Sequence, residues 1–129
     1  MRALNLETFD DTLREAEGLV LVDFWAPWCG PCKTVTPTLE GLEDQYEGEV
    51  AFFKVNVEEE RELMGAFQLR SVPSVLLLKP HEGQSGARVL DAKIGAQSAQ
   101  SYQRWLDSYV RPRPSLIQRI RSLWGGASG

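Results

Sequence analysis

The chain has 129 residues, of which 43% are hydrophobic and 25% charged, with a formal net charge of −4. That length suits one compact domain and leaves too little sequence for a second core, and the acidic balance excludes the broad basic face a nucleic-acid binder needs. No stretch approaches the roughly 20 apolar residues that cross a bilayer, and Met1–Glu7 lacks the apolar run of a secretory signal, so the expected location is cytoplasmic.

In chain order the elements read β-α-β-α-β-α-β-β-α. A short strand is expected near Ala3–Leu6, followed by a helix in which Phe9, Leu13 and Ala16 recur at helical spacing, with Gly18 as its stop. Leu19–Trp25 is almost continuously apolar, the pattern of a strand covered on both faces. The turn Ala26-Pro27-Trp28 precedes a helix expected from about Cys29 to Tyr46, kinked at Pro37, where proline removes an amide donor. Ala51–Val57 reads as the next strand and Glu60–Phe67 as a short helix. Ser74–Lys79 and Arg88–Ile94 read as two strands around the turn-rich Pro80–Gly86, and a last helix is expected over Ser98–Val110. The fold class is α/β, a central mixed sheet flanked by helices.

The two cysteines, Cys29 and Cys32, are three positions apart. A bridge that short closes a small loop and stabilises little, so redox chemistry explains the pair better than stapling does. The pair sits where an apolar strand has ended and a helix begins. Free amides and the helix dipole favour a thiolate on Cys29, and Pro31 suits a first turn. A thiolate is the reactive form, so Cys29 is expected to attack and Cys32, one turn into the helix and less exposed, to resolve. The competing reading is half of a zinc site shared between two copies. Zinc wants four ligands, and beyond the two cysteines the chain offers only His81, in a polar turn, so no metal is expected.

Asp23 lies between Leu21, Val22, Phe24 and Trp25. Burial there disfavours its charged form and raises its pKa, poising it to exchange a proton; an acid at a strand edge reaching water is the alternative. Lys54, on the apolar strand 51–57, either partners Asp23 or snorkels outward. Val72-Pro73 precedes a strand; by frequency alone an ordinary trans bond is favoured, since about 5–6% of X-Pro bonds are cis.

Taken together, Val22–Lys33 with its Trp28-Cys29-Gly30-Pro31-Cys32 core, Pro37, Lys54, Val72-Pro73 and Ile94-Gly95-Ala96 resemble the thioredoxin family over residues 3–110. The resemblance implies a thioredoxin fold and a cis Val72-Pro73 bond facing the dithiol. It implies a shallow apolar rim of Trp28, Gly30, Pro31, Val72, Pro73, Gly95 and Ala96 that receives an extended substrate segment. It also implies that Asp23 acts through water as the base for Cys32, with Lys54 tuning its charge. Family members bind no cofactor and take electrons from NADPH through thioredoxin reductase; Gly-Pro between the cysteines is the pair carried by reducing members. The chain departs from the compact family pattern in a longer hairpin around His81–Gly86 and in its C-terminal extension.

Charge divides the chain into a body, residues 1–110, with ten Lys and Arg against all 18 acids, and an extension, residues 111–129, with four Arg and no acid. In the extension, apolar residues at 116, 117, 120, 123 and 124 form a helical stripe opposite Arg119 and Arg121. At about ten residues such a helix is marginal alone. It either packs on the chain's own acidic domain or a second copy, or frays, or docks on an acidic partner or a membrane surface. Three functions are consistent with the sequence: a protein-disulfide reductase, an interaction or chaperone module acting through the extension, and a dedicated disulfide oxidase or isomerase. The first fits the residues around the dithiol best.

Overall fold

The computed structural model describes residues 1–111 together with Ile120 and Leu123. Five strands form one sheet in the order β1-β3-β2-β4-β5, with β1 at Arg2–Ala3, β2 at Leu19–Trp25, β3 at Val50–Asn56, β4 at Ser74–Pro80 and β5 at Ala87–Ile94. β1 and β2 run parallel to β3, while β4 runs antiparallel to both β2 and β5. The helices are α1 at Leu6–Glu15, α2 at Cys32–Leu42, α3 at Arg61–Ala66 and α4 at Ala99–Val110, with a 3-10 turn at Glu43–Tyr46 after α2. The expected mixed sheet flanked by helices is present, in the expected order.

Strand alternation divides the core into two layers. Val20, Val22 and Phe24 of β2 join Leu76 and Leu78 of β4 and Phe9 and Leu13 of α1 on one face. Leu21 joins Val75 and Leu77 with Val35 and Leu39 of α2 and Tyr102, Trp105 and Leu106 of α4 on the other. Asp23 shares the parity of Leu21, so the pleat aims it into the layer beneath α2 and α4.

Three boundaries differ by three residues or more from the sequence reading, the others by less. β1 ends at Ala3 because Asn5 caps α1: its Oδ1 accepts the Thr8 amide at 2.9 Å, and the Thr8 side chain returns to the Asn5 amide. A reciprocal cap holds the helix start against strand propensity. The second helix starts at Cys32 and not Cys29, because residues 26–31 turn first, with the Cys29 amide donating to the Ala26 carbonyl at 3.1 Å. It also ends at Leu42, the turn to Tyr46 being 3-10; Pro37 lies inside α2 as expected. Gly18 sits at φ +77 beside the entry to β2, where the Leu19 amide reaches the Glu49 carbonyl at 3.0 Å.

At the C-terminus, Arg111 donates to Asp107 at 2.8 Å and to Glu49 at 2.7 Å, and its guanidinium lies over the Tyr46 ring. Ile120 and Leu123 are helical and exposed. The rest of the extension, including the stripe expected over 116–124, lies outside the described residues. None of the helices is long and apolar enough to cross a membrane among the described residues.

Candidate active site around Cys29 and Cys32

The C-terminal end of β2 delivers the chain into the turn that carries Cys29, and Cys32 opens α2. The two are joined as a disulfide with Cα atoms 5.4 Å apart. The Cys32 amide, the first of α2, donates to Cys29 Sγ at 3.2 Å. An amide at a helix N-terminus pointing at sulfur stabilises negative charge there. Exposure separates the two cysteines little, at 4% for Cys29 and 2% for Cys32. Their difference lies in that amide, and in Cys32 being the first helical residue rather than one turn inside the helix. Trp28, next to Cys29, is 68% exposed, an unusual position for so large a ring.

Asp23 is 0% exposed in the central part of β2, not at an edge. Thr36 Oγ1 donates to its Oδ2 at 2.6 Å, while Oδ1 has no hydrogen-bond partner among the described residues. Burial raises the carboxyl from its ordinary 3.8 to about 6, opposed by the Thr36 hydrogen bond and the Lys54 charge, with Glu40 adding a smaller push upward. Lys54 lies directly across from Asp23 in the β2–β3 register, and its ammonium is 3.9 Å from Glu40. It combines the two sequence expectations, acting on Asp23 by charge while its head reaches a half-exposed ion pair. An open groove of about 310 Å³ is lined by Trp25, Ala26, Pro27, Cys32, Lys33, Thr36, Pro37 and Lys54, so that Cys32 shares it with Thr36 and Lys54, the two groups that lower the Asp23 carboxyl.

The remaining candidates gather at the same end of the sheet. The Val72-Pro73 bond is cis, against the frequency argument and in line with the resemblance. Pro73 leads into β4, whose Ser74 pairs with Phe24 of β2 and Ile94 of β5, and the Gly95 amide donates to the Pro73 carbonyl at 2.9 Å. Gly30, Pro31 and Ala96 are exposed, Val72 and Gly95 half-buried and Pro73 buried. Ile94, not anticipated as a rim residue, is also exposed. His81 lies at the β4–β5 turn, at the opposite end of β4 from Ser74. No group of His, Cys, Asp or Glu that could hold a metal occurs among the described residues.

Thr36 and Glu40 are the site residues that sequence reasoning missed. Thr36 follows Cys32 by four positions on α2 and so shares its face. A threonine in mid-helix favours other conformations, a faint signal that something besides helix propensity holds it there.

A vicinal dithiol with one sulfur held at a helix N-terminus, beside a buried carboxyl, is built for thiol–disulfide exchange. The protein is a thiol–disulfide oxidoreductase. Residues 1–108 match the family model described as Thioredoxin. The chain is 35% identical over 104 residues to the thioredoxin of Chlorobaculum thiosulfatiphilum, covering 81% of this chain and 91% of that one. It is 34% identical over 110 residues to Thioredoxin M2, chloroplastic, of Arabidopsis thaliana, covering 85% of this chain and 56% of that one. The chain belongs to the thioredoxin family, and its redox-active pair makes it a protein-disulfide reductase.

Proposed function

We propose that Cys29 is the attacking thiol and Cys32 the resolving one, and that the cycle runs toward reduction of substrate. The observation that carries the assignment of roles is the Cys32 amide on Cys29 Sγ, which favours the thiolate on Cys29, while Gly30-Pro31 between the cysteines, the pair of reducing family members, supports the direction. Cys29 thiolate attacks a substrate disulfide, forming a mixed disulfide and releasing the other substrate sulfur as a thiolate. Asp23 takes the proton of Cys32, acting across the groove that contains Cys32 and Thr36. The Cys32 thiolate attacks Cys29 sulfur, freeing the second substrate thiol and leaving the Cys29–Cys32 disulfide; two electrons have passed to the substrate. Lys54 tunes Asp23 by charge and is not itself a proton donor in the cycle.

The substrate segment lies extended on Trp28, Gly30, Pro31, Val72, Pro73, Gly95 and Ala96, held by backbone pairing and modest apolar contact. Family membership supports recharging by thioredoxin reductase with electrons from NADPH, hence a role as an electron carrier. A cytoplasmic location is part of the proposal, since a dithiol that reduces substrates works where thiols are kept reduced. Residues 1–110 act as the catalytic domain, and the all-basic charge of 111–129 supports docking on an acidic surface. No observation favours the interaction-module reading or the oxidase or isomerase reading over reduction.

Trapping tests the assignment. Cys32→Ser should accumulate a mixed disulfide with a disulfide-bonded protein such as insulin, and Cys29→Ser should not. Both should lose at least about a hundredfold of dithiothreitol-driven insulin reduction, as expected when residues act as a unit. Trapping through Cys32 in Cys29→Ser would reverse the roles.

A further inference from the structure

Asp23 is fully buried and does not itself line the groove in which Cys32 lies. A proton leaving Cys32 therefore needs an intermediary to reach the carboxylate. Thr36 lies between them. Its hydroxyl hydrogen is engaged with Asp23 Oδ2 at 2.6 Å, and its side chain lines the groove together with Cys32, four residues earlier on the same helix face. A threonine hydroxyl has one donor and two acceptor lone pairs, so the oxygen can accept from the groove while donating to Asp23.

We propose that Thr36 is the proton relay between Cys32 and Asp23, joining the buried carboxylate to solvent in the groove. This rests on the reading of Asp23 as the base for Cys32. The Cys32 thiol gives its proton to a groove water, that water gives one to Thr36 Oγ1, and Thr36 gives its own proton to Asp23 Oδ2. Water and Thr36 end neutral, Cys32 ends as the thiolate and Asp23 as the acid, and no oxidant or reductant is consumed. After resolution Asp23 returns the proton through Thr36 to the groove water, and from there it passes to the departing substrate thiolate or to solvent. Other groups around Asp23 are poorly placed for this. Lys54 of β3 faces it but is engaged by Glu40 of α2. Tyr102 of α4 is a buried phenol raised above its ordinary value, chiefly by its own burial. Val75 of β4, the antiparallel partner in register, offers no side-chain proton.

The 2.6 Å bond also holds the carboxyl lower than burial alone would, so a purely electrostatic role must be separated from a relay. Stopped-flow tryptophan fluorescence on the reduced full-length chain, mixed with a peptide carrying an internal disulfide, separates the steps. The second-order rate constant reads the attack by Cys29, and the limiting rate at saturating peptide reads resolution by Cys32. Thr36→Val, close to isosteric, should lower the limiting rate about tenfold from pH 6 to pH 8 and leave the second-order constant within about twofold, a share of what positioned proton transfer contributes. Thr36→Ser should restore the limiting rate. In an Asp23→Asn background Thr36→Val should add no further loss, the mark of two groups on one path.

A limiting rate in Thr36→Val that recovers fully by pH 8 would leave Thr36 only an electrostatic role and overturn the relay. So would a parallel fall in both rate constants, or failure of Thr36→Ser to rescue. If Asp23→Asn itself resolves at the parent rate, the reading of Asp23 as base fails, a result distinct from failure of the relay alone.

Discussion

A carboxyl under α2 with neighbours as apolar as Leu21 and Val75 must either lose its charge or find partners for it. Asp23 does both in part: burial pushes it up to about 6, while Thr36 and Lys54 hold it from going higher. Between its ordinary 3.8 and about 6 the folded chain therefore binds this proton more tightly than the unfolded chain does. Stability falls as pH rises through that interval, and the full penalty of about 3 kcal/mol persists above it. Asp23→Asn should then raise the unfolding free energy by about 2–3 kcal/mol at pH 7 and by little at pH 4, read from urea melts at the two pH values. A gain of the same size at both would contradict the buried-charge account. The burial of Asp23 was legible in its flanking residues. Its bond to Thr36 was not, because which helix crosses above a strand residue depends on crossover and packing, not on either local pattern.

The sheet's elements were readable as types, and their ends much less so. Continuous apolar runs marked β2 and β4, and the observed ranges match closely. The starts of α1 and α2 moved because they are set by single interactions, the Asn5–Thr8 cap and the turns of residues 26–31, that compete with the apolar period instead of contributing to it. Gly18 was read as a helix stop, and its role is larger. At φ +77 a Cβ would stand 2.5 Å from the Glu49 carbonyl oxygen, which the Leu19 amide uses to begin the β2–β3 pairing. Gly18→Ala meets both a left-handed backbone and a backbone clash, and should cost about 2–4 kcal/mol. A thermal melt within about 2 °C of the parent would show that this junction yields more easily than its geometry indicates.

At the scale of the molecule, one end of the sheet brings together the dithiol after β2, cis Pro73 before β4 and Gly95 after β5. The lengthened β4–β5 hairpin lies at the other end of β4, and Arg111 ties the end of α4 to Glu49 and Tyr46. That clustering was foreseen through the family resemblance more than through residue patterns, since no local signal tells that positions 29, 73 and 95 meet. Direction of electron flow depends on how strongly the fold favours the Cys29 thiolate over the disulfide. One helix amide stabilises that thiolate, while the burial of Cys29, at 4% exposure, opposes its charge. Burial that opposes the thiolate favours the disulfide, which makes the couple more reducing. Equilibrating Cys29–Cys32 of the full chain with glutathione measures it directly. A potential close to the roughly −270 mV of thioredoxin is expected, and a value near the roughly −180 mV of protein disulfide isomerase would contradict the reducing role.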